Sequence, residues 1–359
     1  MQRNNISFKG QKIFVGIDVH KRKWSVATIT ESGFQQVHSQ NASAQELIDF
    51  LHRHYPDGDY VAVYEAGFTG FSTYYSLTEK GINCMVIHAA DVPTTQYENV
   101  MKSDKIDCMK LAKSLRAGLL KSIYIRPKDS IDDRGVIRMR RAVIKDLSRY
   151  KIRVKHLLMS NGVIIPEQFD KRRGNNWPKA FIQWLKGDIG LLSTTRRTLD
   201  ILIAQVERMR QAQLDATRKL RELSRTAAYK DNYNLLCSIP GIGGTIAMEL
   251  LTEVHDIKRF CNERQFASYL GLVPTSHSSG DKTIHGEMTF RGNKELGPMM
   301  IEASWIAIHN DVGLAVAFSN YCRKMKPQQA IVRIARKLSN IIIAVLKTQK
   351  KYVPYTPKG

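Results

Sequence analysis

The segment Lys12-Ile-Phe-Val-Gly-Ile-Asp-Val-His-Lys-Arg-Lys-Trp-Ser-Val-Ala-Thr-Ile-Thr30 restricts the fold more than any other stretch. Two β-rich runs flank a short basic turn, the pattern of a hairpin. Asp18 sits inside the first run. An acid is costly in a buried strand unless it has a partner or a task. Residues 44–54 then bring Leu47, Ile48 and Leu51 to helical spacing. Tyr60–Tyr64 reads as a buried strand ending at Glu65, with Gly67 and Gly70 marking a turn. A helix over 72–80, a strand over Ile82–His88 and a short strand over Ser122–Ile125 follow. Strands alternating with helices predict an α/β domain with a partly parallel sheet.

Between the last two strands lies Met101-Lys-Ser-Asp-Lys-Ile-Asp-Cys-Met-Lys-Leu-Ala-Lys113. Ser103 is placed to cap a helix that Leu111, Ala112 and Leu115 continue and Gly118 can end. Asp104 and Asp107, three apart, project from one face of it. A solvated helix start would account for them alone, because Asp favours a first turn. Two like charges so close also call for a cation, from Lys102, from Lys105 or from a bound metal. Ligands of such sheets bind at the carboxyl ends of the strands, where Asp18 and Glu65 can converge. Four carboxylates on a basic chain suit Mg²⁺ or Mn²⁺ and phosphodiester chemistry.

Residues 129–225 change character, with Leu199, Leu202, Val206 and Met209 at alternating three- and four-residue spacing. Two long helices, paired as a coiled-coil hairpin, are expected around a polar break at 161–177. The first is basic, through Arg138, Arg140, Arg141, Lys145 and Arg149, and is expected to contact nucleic acid. Ile239-Pro-Gly-Ile-Gly243, with a helix over 245–254, has the form of a helix-hairpin-helix. Gly241 and Gly243 there would offer backbone N–H groups to a phosphate. A polar segment rich in hydroxyls and cations follows, over 271–294. Ser279, before Gly280, is a candidate nucleophile with Ser278 beside it and His277, His285 and Arg291 as neighbours. A plain turn would also explain Ser-Ser-Gly. Residues 296–348 are expected to be helical, with Arg333, Arg336 and Lys337 outward.

Charge narrows the partners. Lys plus Arg number 55 against 33 Asp plus Glu, a net of +22, and ten Lys/Arg with no acid follow Asp311. Such segregation marks a polyanion-binding protein, and nucleic acid fits better than a membrane surface. The longest apolar run, Ile341–Leu346, is too short to span a bilayer. The polar start without a signal core, and five scattered cysteines, point to a reducing cytoplasm.

Taken in order, Gly16-Ile-Asp-Val-His-Lys21, Tyr64-Glu-Ala-Gly67, Lys102-Ser-Asp-Lys-Ile-Asp107, Ile239-Pro-Gly-Ile-Gly243, Phe266-Ala-Ser-Tyr-Leu-Gly-Leu-Val-Pro274, Ser279-Gly280 and Arg291-Gly-Asn-Lys294 resemble one family. It is that of the DEDD-type insertion-sequence transposases (insertion sequence family 110), with the related Piv-type DNA invertases. The resemblance implies a RuvC-like (RNase H fold) domain over 1–128, with Asp18, Glu65, Asp104 and Asp107 around Mg²⁺ or Mn²⁺. It implies a coiled-coil dimerisation region over 129–228, and a mainly helical transposase domain over 229–359 with Ser279 as nucleophile. DNA donor and target, a noncoding bridge RNA, and a dimer assembling to a tetramer are the implied partners, in a bacterial or archaeal nucleoid. Arg291, Lys294, Arg333 and Arg336, with Arg138 and Arg141, are the side chains expected to meet nucleic acid. The rival readings are a RuvC-like endonuclease in which water attacks, and a basic nucleic-acid-binding scaffold without catalysis.

Overall fold

Strand β1 (Lys12–Val19) turns through His20, Lys21 and Arg22 into β2 (Lys23–Thr30), and the two pair antiparallel, as the hairpin pattern predicts. These strands belong to a computed structural model that describes residues 7–96, 103–170, 177–279, 282–288 and 292–354. The chain divides into two units, Met1–Ile125 and Arg126–Gly359.

In the first unit β3 (Gln35–Asn41) adds to β2, at the edge of the sheet. Sequence reading missed this strand, because Gln-Gln-Val-His-Ser-Gln-Asn has no apolar alternation. Polar residues suit an edge, where they discourage pairing with other chains. Helix α1 (Ala44–His54) starts at Ser43, whose hydroxyl accepts the Glu46 N–H at 3.3 Å. It leads to β4 (Asp59–Glu65), and α2 (Ser72–Glu79) leads on to β5 (Asn83–Ile87). The sheet order is β3-β2-β1-β4-β5, with β1, β4 and β5 parallel. Helix α3 (Asp104–Arg116) follows, capped by Ser103. The strand expected at 122–125 does not form: the segment has no regular secondary structure and meets β5 through the Ile123 N–H, which donates to the Val86 carbonyl at 2.8 Å.

Period-two alternation assigns the faces. Ile13, Val15 and Ile17 of β1 and Ala62 and Tyr64 of β4 pack with Leu47, Leu51 and Leu77, from α1 and α2. The opposite face carries Val63 of β4, which packs with Leu111 and Leu115 of α3. Each buried aliphatic side chain of these layers contributes roughly 1.5–3 kcal/mol.

The second unit is mainly helical. Helices α4 (Lys128–Ser160) and α5 (Glu167–Asp170) come first, then α6 (Lys179–Lys186) and α7 (Ser193–Leu223). The two long helices, α4 and α7, pack along each other in opposite directions. Ile137 shares a core with Leu220, whereas Val154 and Leu158 share another with Leu199 and Ile203. The break between them is less polar in structure than in sequence. Trp177 meets Phe181 edge-on at 5.0 Å and Phe181 stacks on Trp184 at 5.6 Å, closing the second core. Next come α8 (Lys230–Cys237), α9 (Gly244–Val254) and α10 (Glu263–Tyr269). An antiparallel ribbon, β6 (Pro274–Ser279) with β7 (Lys282–Met288), precedes α11 (Leu296–Asn310), α12 (Val312–Cys322) and α13 (Pro327–Thr348). Leu236, Met248, Met300, Leu338 and Ile342 join Ile137 and Leu220 in one core. Among the described residues no helix is long and apolar enough to cross a membrane.

Candidate active site

Asp18 is two residues beyond Gly16 on β1, so both lie on the face that α3 covers. Gly16 sets how closely α3 approaches. A Cβ there would collide with the Cys108 carbonyl oxygen and lie 2.5 Å from the Ala112 nitrogen, both backbone atoms of α3. Glu65 ends β4 two residues after Val63 and therefore shares this face. Asp104 and Asp107 open α3, where the helix dipole favours acids. Lys110 Nζ stands 3.3 Å from Asp107, and this is the countercharge in place rather than Lys105. Lys102 lies outside the described residues.

Sequence reading assigned no role to His20. Its Nδ1 lies 3.5 Å from Asp18 Oδ2, and ligand atoms of Asp18, His20 and Asp104 all fall within 4.8 Å of one another. The signal was available: positions 18 and 20 flank one residue at a strand end, so their side chains exit on one side. Burial is the largest influence on Asp18 and pushes its carboxyl above the ordinary range. His20 opposes that, and the charges of Asp104, Asp107 and Glu65 push it further up. A cation would relieve this crowding. Carboxylate oxygens with one imidazole are a donor set that suits a divalent metal.

Ser279 ends β6 and pairs in register with Lys282, and Ser278 pairs with Thr283. Both belong to the second unit and are described by backbone alone, while Gly280 and Arg291 lie outside the described residues.

The basic arm of α4 is partly turned inward. Arg134, Arg138 and Arg141 recur at helical spacing and converge on Glu253 of α9, whose side chain is 1% exposed. Arg138 holds it by two bonds, at 3.1 and 3.3 Å, and Arg141 by one at 3.1 Å with a second bond of 3.2 Å to Glu249. Burial alone would push the Glu253 carboxyl up. The three guanidinium groups outweigh it and hold the carboxyl below its ordinary range. Arg141, only 12% exposed, is thus committed within the protein, whereas half of the Arg138 side chain reaches solvent. Gly241 too has an internal task. Its φ of +84° and the clash a Cβ would make with the Ala303 carbonyl of α11 both demand glycine. Gly243 is exposed at the N-terminus of α9, and Lys294, Arg333 and Arg336 are exposed cations.

Residues 15–161 match a profile described as a transposase of the DEDD, IS110 type. Residues 233–317 match one described as a transposase of the IS116/IS110/IS902 family. The transposase for insertion sequence element IS1533 of Leptospira borgpetersenii is 26% identical over 264 residues, 71% of this chain and 73% of that protein. The transposase for IS1111A of Coxiella burnetii is 23% identical over 71% of this chain and 70% of its own length. A pilin gene-inverting protein of Moraxella bovis is 32% identical over 126 residues, 33% of this chain and 38% of that protein.

Proposed function

From the premise that this chain belongs to the IS110 family of transposases, enzymes that cut and rejoin DNA, we propose that it exchanges DNA strands through a covalent serine intermediate. DEDD domains of this kind use a divalent metal. We read that metal as Mg²⁺ or Mn²⁺, held by Asp18, Glu65, Asp104 and Asp107 in an RNase H-like domain. When bound it would neutralise charge on the reacting phosphate. The observation that carries the reading is the meeting of acids from β1, β4 and α3 on one sheet face, with Gly16 permitting the approach.

In the proposed reaction the Ser279 hydroxyl attacks a backbone phosphorus. One phosphorus–oxygen ester bond breaks, and its oxygen leaves as a DNA hydroxyl that takes up a proton. The serine proton passes to a neighbouring base or water, since an unassisted hydroxyl is a poor nucleophile. The resulting phosphoserine ester keeps the bond energy. A hydroxyl of another strand then attacks it and restores Ser279, so rejoining needs no ATP. The sequence 1–128 would supply the acids, 129–228 a coiled coil for dimer and tetramer assembly, and 229–359 the serine. The turn at Gly241 and Gly243 reads as a helix-hairpin-helix against phosphate. Arg138, Lys294, Arg333 and Arg336, and Arg291 beyond the described residues, extend the cationic contact.

With a net charge of +22 the chain can carry a second polyanion, which we take to be a structured bridge RNA that names the DNA sites. Ser279→Ala should abolish covalent protein–DNA adducts while leaving DNA binding intact. Undiminished adducts in that variant would refute the serine's role and leave attack by water. The likeness to a pilin gene-inverting protein favours inversion as a second outcome of the same chemistry. Sequencing the RNA that copurifies with the protein separates a guided enzyme from an unguided one.

A further inference from the structure

Beside the acid cluster, within the first unit, is a cavity of about 430 Å³ that no role above uses. It begins at His20 and Lys21, two and three residues after Asp18, and runs to α2 and the turn that follows Glu65. None of its lining residues is acidic. Lys21 and Lys80 give it two cations, and Ser72 and Ser76 give it hydroxyls. Lys80 is held by Gln45 at the rim. Phe68, three residues after Glu65, stands at its mouth with 70% of its surface exposed.

An aromatic ring left in water at a turn forgoes the burial that normally keeps such a side chain. Here it borders a cationic, hydroxyl-lined cleft of ordinary ligand-site size. Cations and hydroxyls match phosphate oxygens, and an aromatic face matches a base. Lys21 is on the chain next to His20, whose ring contacts Asp18. His20 lines this cavity and stands 3.5 Å from Asp18, so the cavity adjoins the acids.

We infer that this cavity is a subsite for an unpaired nucleotide flanking the scissile phosphate, with its base stacked on Phe68 and its phosphate held by Lys21 and Lys80. The inference rests on the reading of Asp18 and its neighbours as the cleavage site. Duplex DNA cannot offer a free base face, so the subsite selects strands that are already unpaired or are opened there.

The test uses the full chain, in EDTA, with a short oligothymidylate carrying one 4-thiothymidine. After near-ultraviolet irradiation and trypsin, label is sought on the peptide His54–Lys80, which contains Phe68. The expected result is labelling that unmodified oligothymidylate competes away and an abasic strand of equal length does not. Stacking on one ring changes affinity by about fivefold or more, so Phe68→Ala should cut the label at least that far, and Phe68→Trp should keep it. The exposed position of Phe68 leaves the fold of these variants intact, which circular dichroism checks. An unlabelled peptide, equal label in Phe68→Ala, or full competition by the abasic strand would each overturn the subsite. Without metal no cleavage occurs, so such a failure leaves the cleavage reading standing. Undiminished metal-dependent cleavage by Asp18→Ala would remove that reading instead.

Discussion

Replacing Gly16 by alanine tests the contact on which the acid cluster depends. The new Cβ would lie 2.5 Å from the Ala112 nitrogen and closer still to the Cys108 carbonyl oxygen. Ordinary van der Waals separation is about 3.5–4 Å, so α3 must retreat by roughly 1 Å. Neither obstacle is a flexible side chain that could step aside. Both are backbone atoms of a helix whose Cys108 and Ala112 are fully buried. Overpacking of this kind costs about 1–3 kcal/mol. The retreat also carries Asp104 and Asp107 away from Asp18, and a misplacement of about 1 Å at a catalytic group can cost about a hundredfold in rate. Gly16→Ala should therefore lower the midpoint of urea unfolding while it slows DNA strand cleavage about a hundredfold. Binding of the same DNA, measured by gel shift, should be unchanged. Cleavage at the wild-type rate, with an unmoved unfolding midpoint, would sink the argument that this glycine sets the acid geometry.

Asp18→Asn should raise the melting temperature in EDTA, because it removes a charge that burial and three neighbouring acids disfavour. The sign follows from linkage: a carboxyl raised by folding destabilises the fold above its folded pKa, and that penalty fades as pH falls through it. Mg²⁺ should stabilise the wild type and not this variant, as read by thermal shift. Glu253→Ala leaves Arg134, Arg138 and Arg141 facing one another and should cost about 3–5 kcal/mol in denaturant unfolding. Glu253 is held below its ordinary range, so its contribution is present above the unfolded pKa and disappears as pH falls through the folded one. Glu253→Gln should accordingly flatten the acid limb of stability against pH. Gly135 is exposed inside α4 with nothing near its missing Cβ, so Gly135→Ala should add about 1 kcal/mol without altering cleavage.

Much was determined by the chain itself. A hairpin followed by alternating helices and strands, helix α3 with its Ser103 cap, and two long helices follow from nearest-neighbour patterns. Periods of two and of about three and a half are local, because they are set by residues one turn or one pleat apart. The late positions of Asp18 and Glu65 in their strands also let them converge, but that they share a face is decided by the parallel register of β1 on β4. Where the period failed, the reason is physical. The edge strand Gln35–Asn41 buries too little to need apolar residues, and Ser122–Ile125 has β-rich composition but does not join the sheet. Tertiary structure decided everything that needed two distant segments to meet. It fixed the depth to which α3 settles on Gly16, and with it the grouping of Asp18, His20 and Asp104. It turned Arg141 from an apparent surface cation into the partner of glutamates more than a hundred residues away. Spacing reveals which side of an element a residue occupies. Only the packed chain reveals what stands opposite, because that depends on close contacts between surfaces that no local pattern encodes.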